Sequence, residues 1–215
     1  MPDTTRLLPG RYYHIYHRGN NREAIFREER NYPYFLKLYA KYIEPVAFTY
    51  AYCLLSNHFH FAIRVKTEDE QFIWWRWRQT SEVSQTSEVS QREPFAPLDP
   101  SWQFGKLFNS YTRAFNRAYH RSGSLFEGRF KRKQVNSLAH FLNLIAYIHQ
   151  NPVHHGFVQD LADWPYSSWP ALQSDTPTHL QRDQLRFWIG SFPSVEAFAA
   201  ANPVDIASLV EDDWD

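Results

Sequence analysis

Apolar and polar positions along the first 160 residues follow two periods, and the switches between them mark the elements. Arg11–Arg18 (Arg-Tyr-Tyr-His-Ile-Tyr-His-Arg) is rich in Tyr and reads as a first strand, closed by the turn signal Gly19-Asn20-Asn21. Residues 30–43 repeat Tyr34, Phe35, Leu38, Tyr39, Tyr42 and Ile43 at helical spacing, with Pro45 just past the end. Val46–Leu55 and His58–Val65 read as second and third strands, and the Ser56-Asn57 link suits a tight hairpin. Residues 103–120 form an amphipathic helix with Phe104, Leu107, Phe108, Tyr111, Phe115 and Ala118 along one side. A basic turn over Gly128–Lys133 leads into a short strand near 134–136. Ser137 then caps a helix whose apolar side is Leu138, Phe141, Leu142, Ile145 and Ile148. Pro152 disfavours helical geometry in the residue before it, so this helix is expected to stop near Asn151. A final helix is expected near 194–201. The order β-α-β-β-α-β, followed by a further helix, predicts an α+β fold. It is the ferredoxin-like split β-α-β sandwich, an antiparallel sheet with helices on one face.

Three regions follow from the same pattern. Residues 1–66 and 101–160 make one domain. Residues 67–100 interrupt it with Trp74-Trp75-Arg76-Trp77-Arg78, read as a helix end that packs, and with a perfect six-residue duplication, Thr80–Gln85 and Thr86–Gln91. The duplication is polar and reads as a flexible insertion. Residues 161–215 are Pro-rich, aromatic and acidic, and form a C-terminal extension.

A net charge of zero conceals a segregation. Residues 1–155 carry 21 Lys and Arg against 13 Asp and Glu, whereas residues 156–215 carry 2 against 10. The stretch 101–136 holds eight basic residues and one acid, Glu127. A basic body of this kind attracts phosphate backbones, and a solvated basic surface is the alternative. The single cysteine, Cys53, excludes an internal disulfide and a Cys-rich zinc module. No apolar signal core opens the chain and no stretch is long and apolar enough for a bilayer, so a cytoplasmic location and no membrane partner are expected.

Chemistry concentrates in Asn57-His58-Phe59-His60-Phe61-Ala62. In a strand, His58 and His60 point to one face while Phe59, Phe61, Ile63 and Val65 point to the other. Two imidazoles held side by side are either ligands for a divalent metal or half-exposed surface histidines. Tyr147 lies late in the last core helix, and Asn151 follows at i+4 on the same side. A tyrosine hydroxyl is a poor nucleophile until a metal polarises the group it attacks, and a phosphodiester is a suitable target. The site assembled this way has His58 and His60 as metal ligands, Asn151 as an amide-oxygen ligand and Tyr147 as attacking group. A half-buried structural aromatic is the other reading of Tyr147. His14 and His17 read either as neighbours of the site or as structural histidines on an edge strand, and His149, His154 and His155 either as aids to proton transfer or as exposed residues near the end of the helix.

Five segments carry a resemblance to a known family: His14-Ile-Tyr-His-Arg-Gly-Asn-Asn-Arg22, Leu55-Ser-Asn-His-Phe-His60, Gly123-Ser-Leu-Phe-Glu-Gly-Arg-Phe130, Tyr147-Ile-His-Gln-Asn-Pro-Val153 and Trp164-Pro-Tyr-Ser-Ser168. In order and content they resemble the single-tyrosine HUH transposases, in the branch of the REP-associated tyrosine transposases. The resemblance implies that His58 and His60 bind metal, that Tyr147 is the catalytic tyrosine and that Asn151 is the third ligand, where the insertion-sequence branch usually has Gln. It implies Mg²⁺ or Mn²⁺ as cofactor. It further implies cleavage and rejoining of single-stranded DNA beside a hairpin of repetitive palindromic elements, through a 5′-phosphotyrosine intermediate, in a bacterial cell. On this basis Arg18, Arg22, Arg113, Arg117, Arg129, Lys131, Arg132 and Lys133 are expected to contact DNA. Insertion-sequence relatives work as dimers and the REP-associated branch also as monomers, so homodimer and monomer both stay open. Ser56 stands where the family commonly has Pro, and neither 67–100 nor the acidic extension belongs to the shared core. The main alternative is a domesticated protein that binds single-stranded DNA hairpins without cutting them. A metal hydrolase using water, with Tyr147 structural, is a third.

Overall fold

The computed structural model describes residues 6–82 and 94–205. Four strands form one antiparallel sheet: β1 (Tyr12–Arg18), β2 (Ala47–Leu54), β3 (His58–Val65) and β4 (Lys131–Val135), in the spatial order β2-β3-β1-β4. Helix α1 (Asn31–Ile43) connects β1 to β2. Helices α2 (Glu68–Glu82) and α3 (Pro100–Ala118) lie between β3 and β4, and α4 (Leu138–His154) follows β4. Three short α-helices follow among the described residues, α5 (Trp169–Gln173), α6 (Arg182–Ile189) and α7 (Val195–Ala201). Each β-α-β crossover leaves room for one antiparallel strand between its own two, which is the expected split β-α-β arrangement. The hairpin at Ser56-Asn57 is closed by Leu55 N–H donating to His58 O.

Strand alternation sorts the sheet into two faces with different contents. Tyr13, Ile15, Phe59, Phe61, Ile63 and Val65 pack against Phe35, Tyr39 and Ile43 of α1 and Phe104, Leu107, Phe108 and Tyr111 of α3. This face is aromatic throughout: Tyr39 stacks on Phe61 at 4.3 Å and Phe59 on Phe108 at 5.7 Å. The opposite face is covered by α4 and the C-terminal helices, through Phe141, Leu144, Ile145 and Ile148. One-sided cover therefore describes α1 and α3 only. The bulge between Thr49 and Ala51 turns Tyr50 towards α4, where it stacks on Trp188 at 5.4 Å.

Four local expectations are corrected. First, α4 does not stop near Asn151. Pro152 lies inside it, and the helix runs one turn further because buried Asn151 and Pro152 hold that turn against the body. His155 N–H still donates to Asn151 O at 3.0 Å. Second, Lys131–Lys133 are strand rather than turn, because Tyr12–Tyr16 supplies ladder partners for Lys131–Val135 and an edge strand accepts charged side chains. Third, β1 is interior, flanked by β3 and β4. Fourth, residues 68–82 of the interrupting region are helical, and Leu98 returns to exchange hydrogen bonds with the Gln71 side chain. Most of the six-residue duplication lies outside the described residues. Among the described residues no helix is long and apolar enough to cross a membrane.

The turn after β1 is set by space as much as by conformation. Gly19 has extended φ and ψ of −64° and 142°, but a Cβ there would lie 2.1 Å from Glu23 O. The left-handed residues are Asn21 (φ 54°) and Arg22 (φ 59°), two consecutive positions where a side chain costs energy.

Candidate active site

The histidine pair lies on the α4 face of β3. Its neighbours follow from register: Arg18 pairs with His58, Tyr16 with His60 and His14 with Ala62 on one side, and Cys53 with His60 on the other. Across the other edge of β1, Lys131 pairs with Tyr16 and Lys133 with His14. Around the pair, the α4 face of the sheet thus presents the rings of His14, Tyr16, His58 and His60 with Arg18, Lys131 and Lys133 beside them.

Helix α4 adds three side chains one turn apart, Tyr147, Asn151 and His155. The Tyr147 ring is edge-on to His60 at 5.9 Å and to His14 at 6.4 Å. At the other end of this stripe, His155 is edge-on to His58 at 4.9 Å. Asn151 lies between them and is buried. Its Nδ2 donates to Tyr147 O at 2.9 Å, while its Oδ1 is buried with no hydrogen-bond partner. The structure therefore brings His58, His60, Tyr147 and Asn151 together, as the sequence spacing suggested.

Both histidines are neutral and oriented. Burial, reinforced by His155 and Arg18, lowers His58 to about 3. Burial also holds His60 well below the ordinary imidazole value, with His14, His58 and His155 adding to the effect. His58 Nδ1–H donates to Asn57 Oδ1 at 2.7 Å, which leaves the lone pair on Nε2. His60 Nδ1 is 2.9 Å from His14 Nε2. Metal-ligating histidines commonly have one ring nitrogen engaged this way. Among the described residues no three His, Cys, Asp or Glu side chains form a metal-binding group. A cation here would instead take two imidazoles and the amide oxygen of Asn151, a mixed N/O set that Mn²⁺ accepts and Mg²⁺ tolerates. The unpartnered Asn151 Oδ1 fits such a role.

The basic candidates separate. Arg18, Lys131 and Lys133 share the site's face. Arg18 is largely buried and ion-paired to Glu127 at 3.1 Å. Arg22 is exposed in the left-handed turn, and Arg129 in the loop before β4. Arg113 and Arg117 are exposed on α3, behind the sheet. Arg132 points the same way, donating to Ser101 Oγ at 2.8 Å with its guanidinium 4.2 Å over Phe130. These last three are not brought to the site.

The remaining histidines separate in the same way. His14 belongs to the site and not to an edge. His155 reaches it because α4 runs past Pro152. His149 is fully buried instead of exposed, its Nδ1 2.8 Å from Glu196 Oε1 and its Nε2 2.8 Å from Ser168 Oγ. Ser168 Oγ also accepts from Tyr52 N–H and donates to Tyr52 O, so this trio joins α4, β2 and α7 as a largely buried structural link. His17 is structural, stacked on Phe126 at 4.6 Å on the α3 side. Of these, only His14 left a signal, since strand alternation puts it on the Tyr16 and Arg18 face.

Comparison with known proteins bears on the resemblance. No family model matches the chain. A curated protein of Haemophilus influenzae, named "Putative REP-associated tyrosine transposase", is 27% identical over 121 residues. The match covers 56% of this chain and 58% of that protein's length. A solved structure of a REP-associated tyrosine transposase bound to a REP hairpin superposes with a TM-score of 0.53, at 16% identity. It covers 81% of this chain and 87% of that one. At that identity the superposition establishes the fold, and the sequence match spans little more than half of either protein. The chain is thus similar in sequence, over 121 residues, to one protein named as a REP-associated tyrosine transposase, and similar in fold to another.

Proposed function

We propose that the protein is a tyrosine transposase that cleaves and rejoins single-stranded DNA beside a hairpin of repetitive palindromic elements. The observation that carries this reading is the meeting of Tyr147 with His60 of the histidine pair, 5.9 Å from ring to ring, beside the unpartnered oxygen of Asn151.

His58, His60 and Asn151 would hold Mg²⁺ or Mn²⁺. When bound, such an ion polarises a phosphodiester and offsets charge that develops on it. The chain's own residues do the rest. Arg18, Lys131 and Lys133 attract and neutralise the backbone on the face where the tyrosine lies. α4 holds the phenol against the histidines and restricts its approach. Tyr147 Oη loses its proton and forms a bond to phosphorus. The P–O3′ bond breaks, and the departing 3′ oxygen takes up a proton to become a free hydroxyl. The 5′ side stays on the protein as a phosphotyrosine ester, so the bond energy is retained for attack by another 3′-hydroxyl and rejoining needs no nucleotide cofactor. A hairpin partner is in keeping with the hairpin bound by the structural relative.

The test is a denaturing gel of labelled single-stranded hairpins, with Mn²⁺ or Mg²⁺, for wild type, Tyr147→Phe and His60→Ala. A metal-dependent, protease-sensitive shifted band, absent in both variants, is expected. Cleavage that persists in Tyr147→Phe would point to water as the nucleophile. Binding without cleavage across a panel of hairpins would favour the domesticated binder.

A further inference from the structure

His14 is fully buried at the site, and the proposed reaction gives it no part. We propose that His14 is a positioning residue that accepts a hydrogen bond from His60 Nδ1–H and so fixes the tautomer in which His60 presents Nε2 to a divalent cation. This rests on the reading that His58 and His60 are metal ligands.

A neutral imidazole has one N–H, so in the 2.9 Å contact between His14 Nε2 and His60 Nδ1 one nitrogen donates and the other accepts. If His14 donates, His60 carries its own hydrogen on Nε2 and is lost as a ligand through that atom. If His60 donates, its Nε2 keeps a lone pair, matching the arrangement that Asn57 imposes on His58. The surroundings also restrain the His14 ring. It stacks on Tyr16 at 4.5 Å and on His60 at 5.1 Å, with planes 26° and 20° apart, and has Tyr147 on its edge. Elsewhere this face is filled by apolar and aromatic side chains, among them Tyr50, Ala51, Cys53, Ala62 and Val135. Burying two imidazoles among apolar groups costs desolvation, and a role for the pair explains why the cost is carried.

The test uses the full chain with Mn²⁺ as probe. His14→Phe keeps a stacking ring but removes the acceptor, whereas His14→Gln supplies an amide oxygen at similar reach. Thermal unfolding by circular dichroism checks that each variant folds. Mn²⁺ affinity, read by electron paramagnetic resonance, is expected to fall 10–100-fold in His14→Phe and to recover in His14→Gln. Nitrogen chemical shifts of His60 in the metal-free protein are expected to report Nδ1–H in wild type and in His14→Gln, and a loss of that preference in His14→Phe. Equal Mn²⁺ affinity in wild type and His14→Phe, or a wild-type His60 protonated on Nε2, would overturn the proposal. Wild-type protein that binds no Mn²⁺ would instead defeat the metal reading itself. The metal-free shifts then decide separately whether His14 sets the His60 tautomer.

Discussion

Asn151 Nδ2 donates to the carbonyl of Tyr147 at 2.9 Å, while Asn151 Oδ1, equally buried, has no hydrogen-bond partner. One atom of this amide ties it to the turn that carries the candidate nucleophile, and the other is left with a desolvation cost of about 1–3 kcal/mol. An acceptor kept buried and unsatisfied is explained if something absent from the protein alone completes it. Asn151→Leu should therefore change thermal stability little, since the lost Nδ2 bond is offset by removal of the orphan oxygen. Cleavage and Mn²⁺ binding should fall by an order of magnitude or more. Unfolding curves beside the gel assay check this. A collapse in stability with metal affinity intact would make Asn151 a purely structural residue.

Acid should weaken the fold through His17. Burial first, and Lys131 second, lower its pKa from 6.5 to about 3. Between those values the unfolded chain binds a proton that the folded chain does not. The stability contributed by neutral His17 is thus complete above pH 6.5 and is lost as pH falls towards 3, by about 1.4 kcal/mol per pH unit. His58 and His60 shift in the same direction. His17 lies among Phe59, Phe108 and Phe126 with an unpartnered Nδ1, so His17→Phe fits its surroundings. The variant should lose about 2 kcal/mol less than wild type between pH 7 and pH 5 in urea unfolding. Equal losses would mean that His17 titrates in the folded state.

Gly19→Ala should be costly although the residue's backbone angles suit alanine. The new methyl would meet Glu23 O at 2.1 Å and Ile25 Cγ2 at 2.9 Å, a backbone and a core atom that do not move cheaply. A loss of about 2–3 kcal/mol is expected from urea unfolding. A neutral substitution would show that the turn over Asn20–Arg22 rearranges freely.

Equal charge removed from the two faces should have unequal effects. Lys131→Gln with Lys133→Gln strips the site's face, whereas Arg113→Gln with Arg117→Gln strips the outer side of α3. If DNA lies against α4 and the sheet edge, only the first pair should weaken hairpin binding strongly. It should also reduce the slope of log affinity against log salt by about 1.4–1.8. Fluorescence anisotropy at several salt concentrations measures both quantities. Equal losses in the two double variants would place DNA around both faces.

What the sequence discloses and what it hides divide by range. The opposition of His58 and His60 to Phe59 and Phe61 needs only the two-residue period of a strand. The closeness of Tyr147 and Asn151 needs only the helical turn. Both are local, and both are present in the structure. His14 and His155 join the site through events distant in the chain, namely the pairing of β1 with β3 and the persistence of α4 past Pro152. The local rule for the residue before proline was outweighed there by burial of Asn151 and Pro152. The split of the basic run Lys131–Lys133 between two faces likewise needed the register with Tyr12–Tyr16.

The buried link from Ser168 through His149 to Glu196 sets an order of assembly. During synthesis, the helix bearing Tyr147 leaves the ribosome well before Glu196 does. Until that later segment arrives, His149 lacks its carboxylate partner and α4 lacks the cover of α7. A nascent chain therefore carries Tyr147 on a helix that gains its last cover only once Glu196 has emerged.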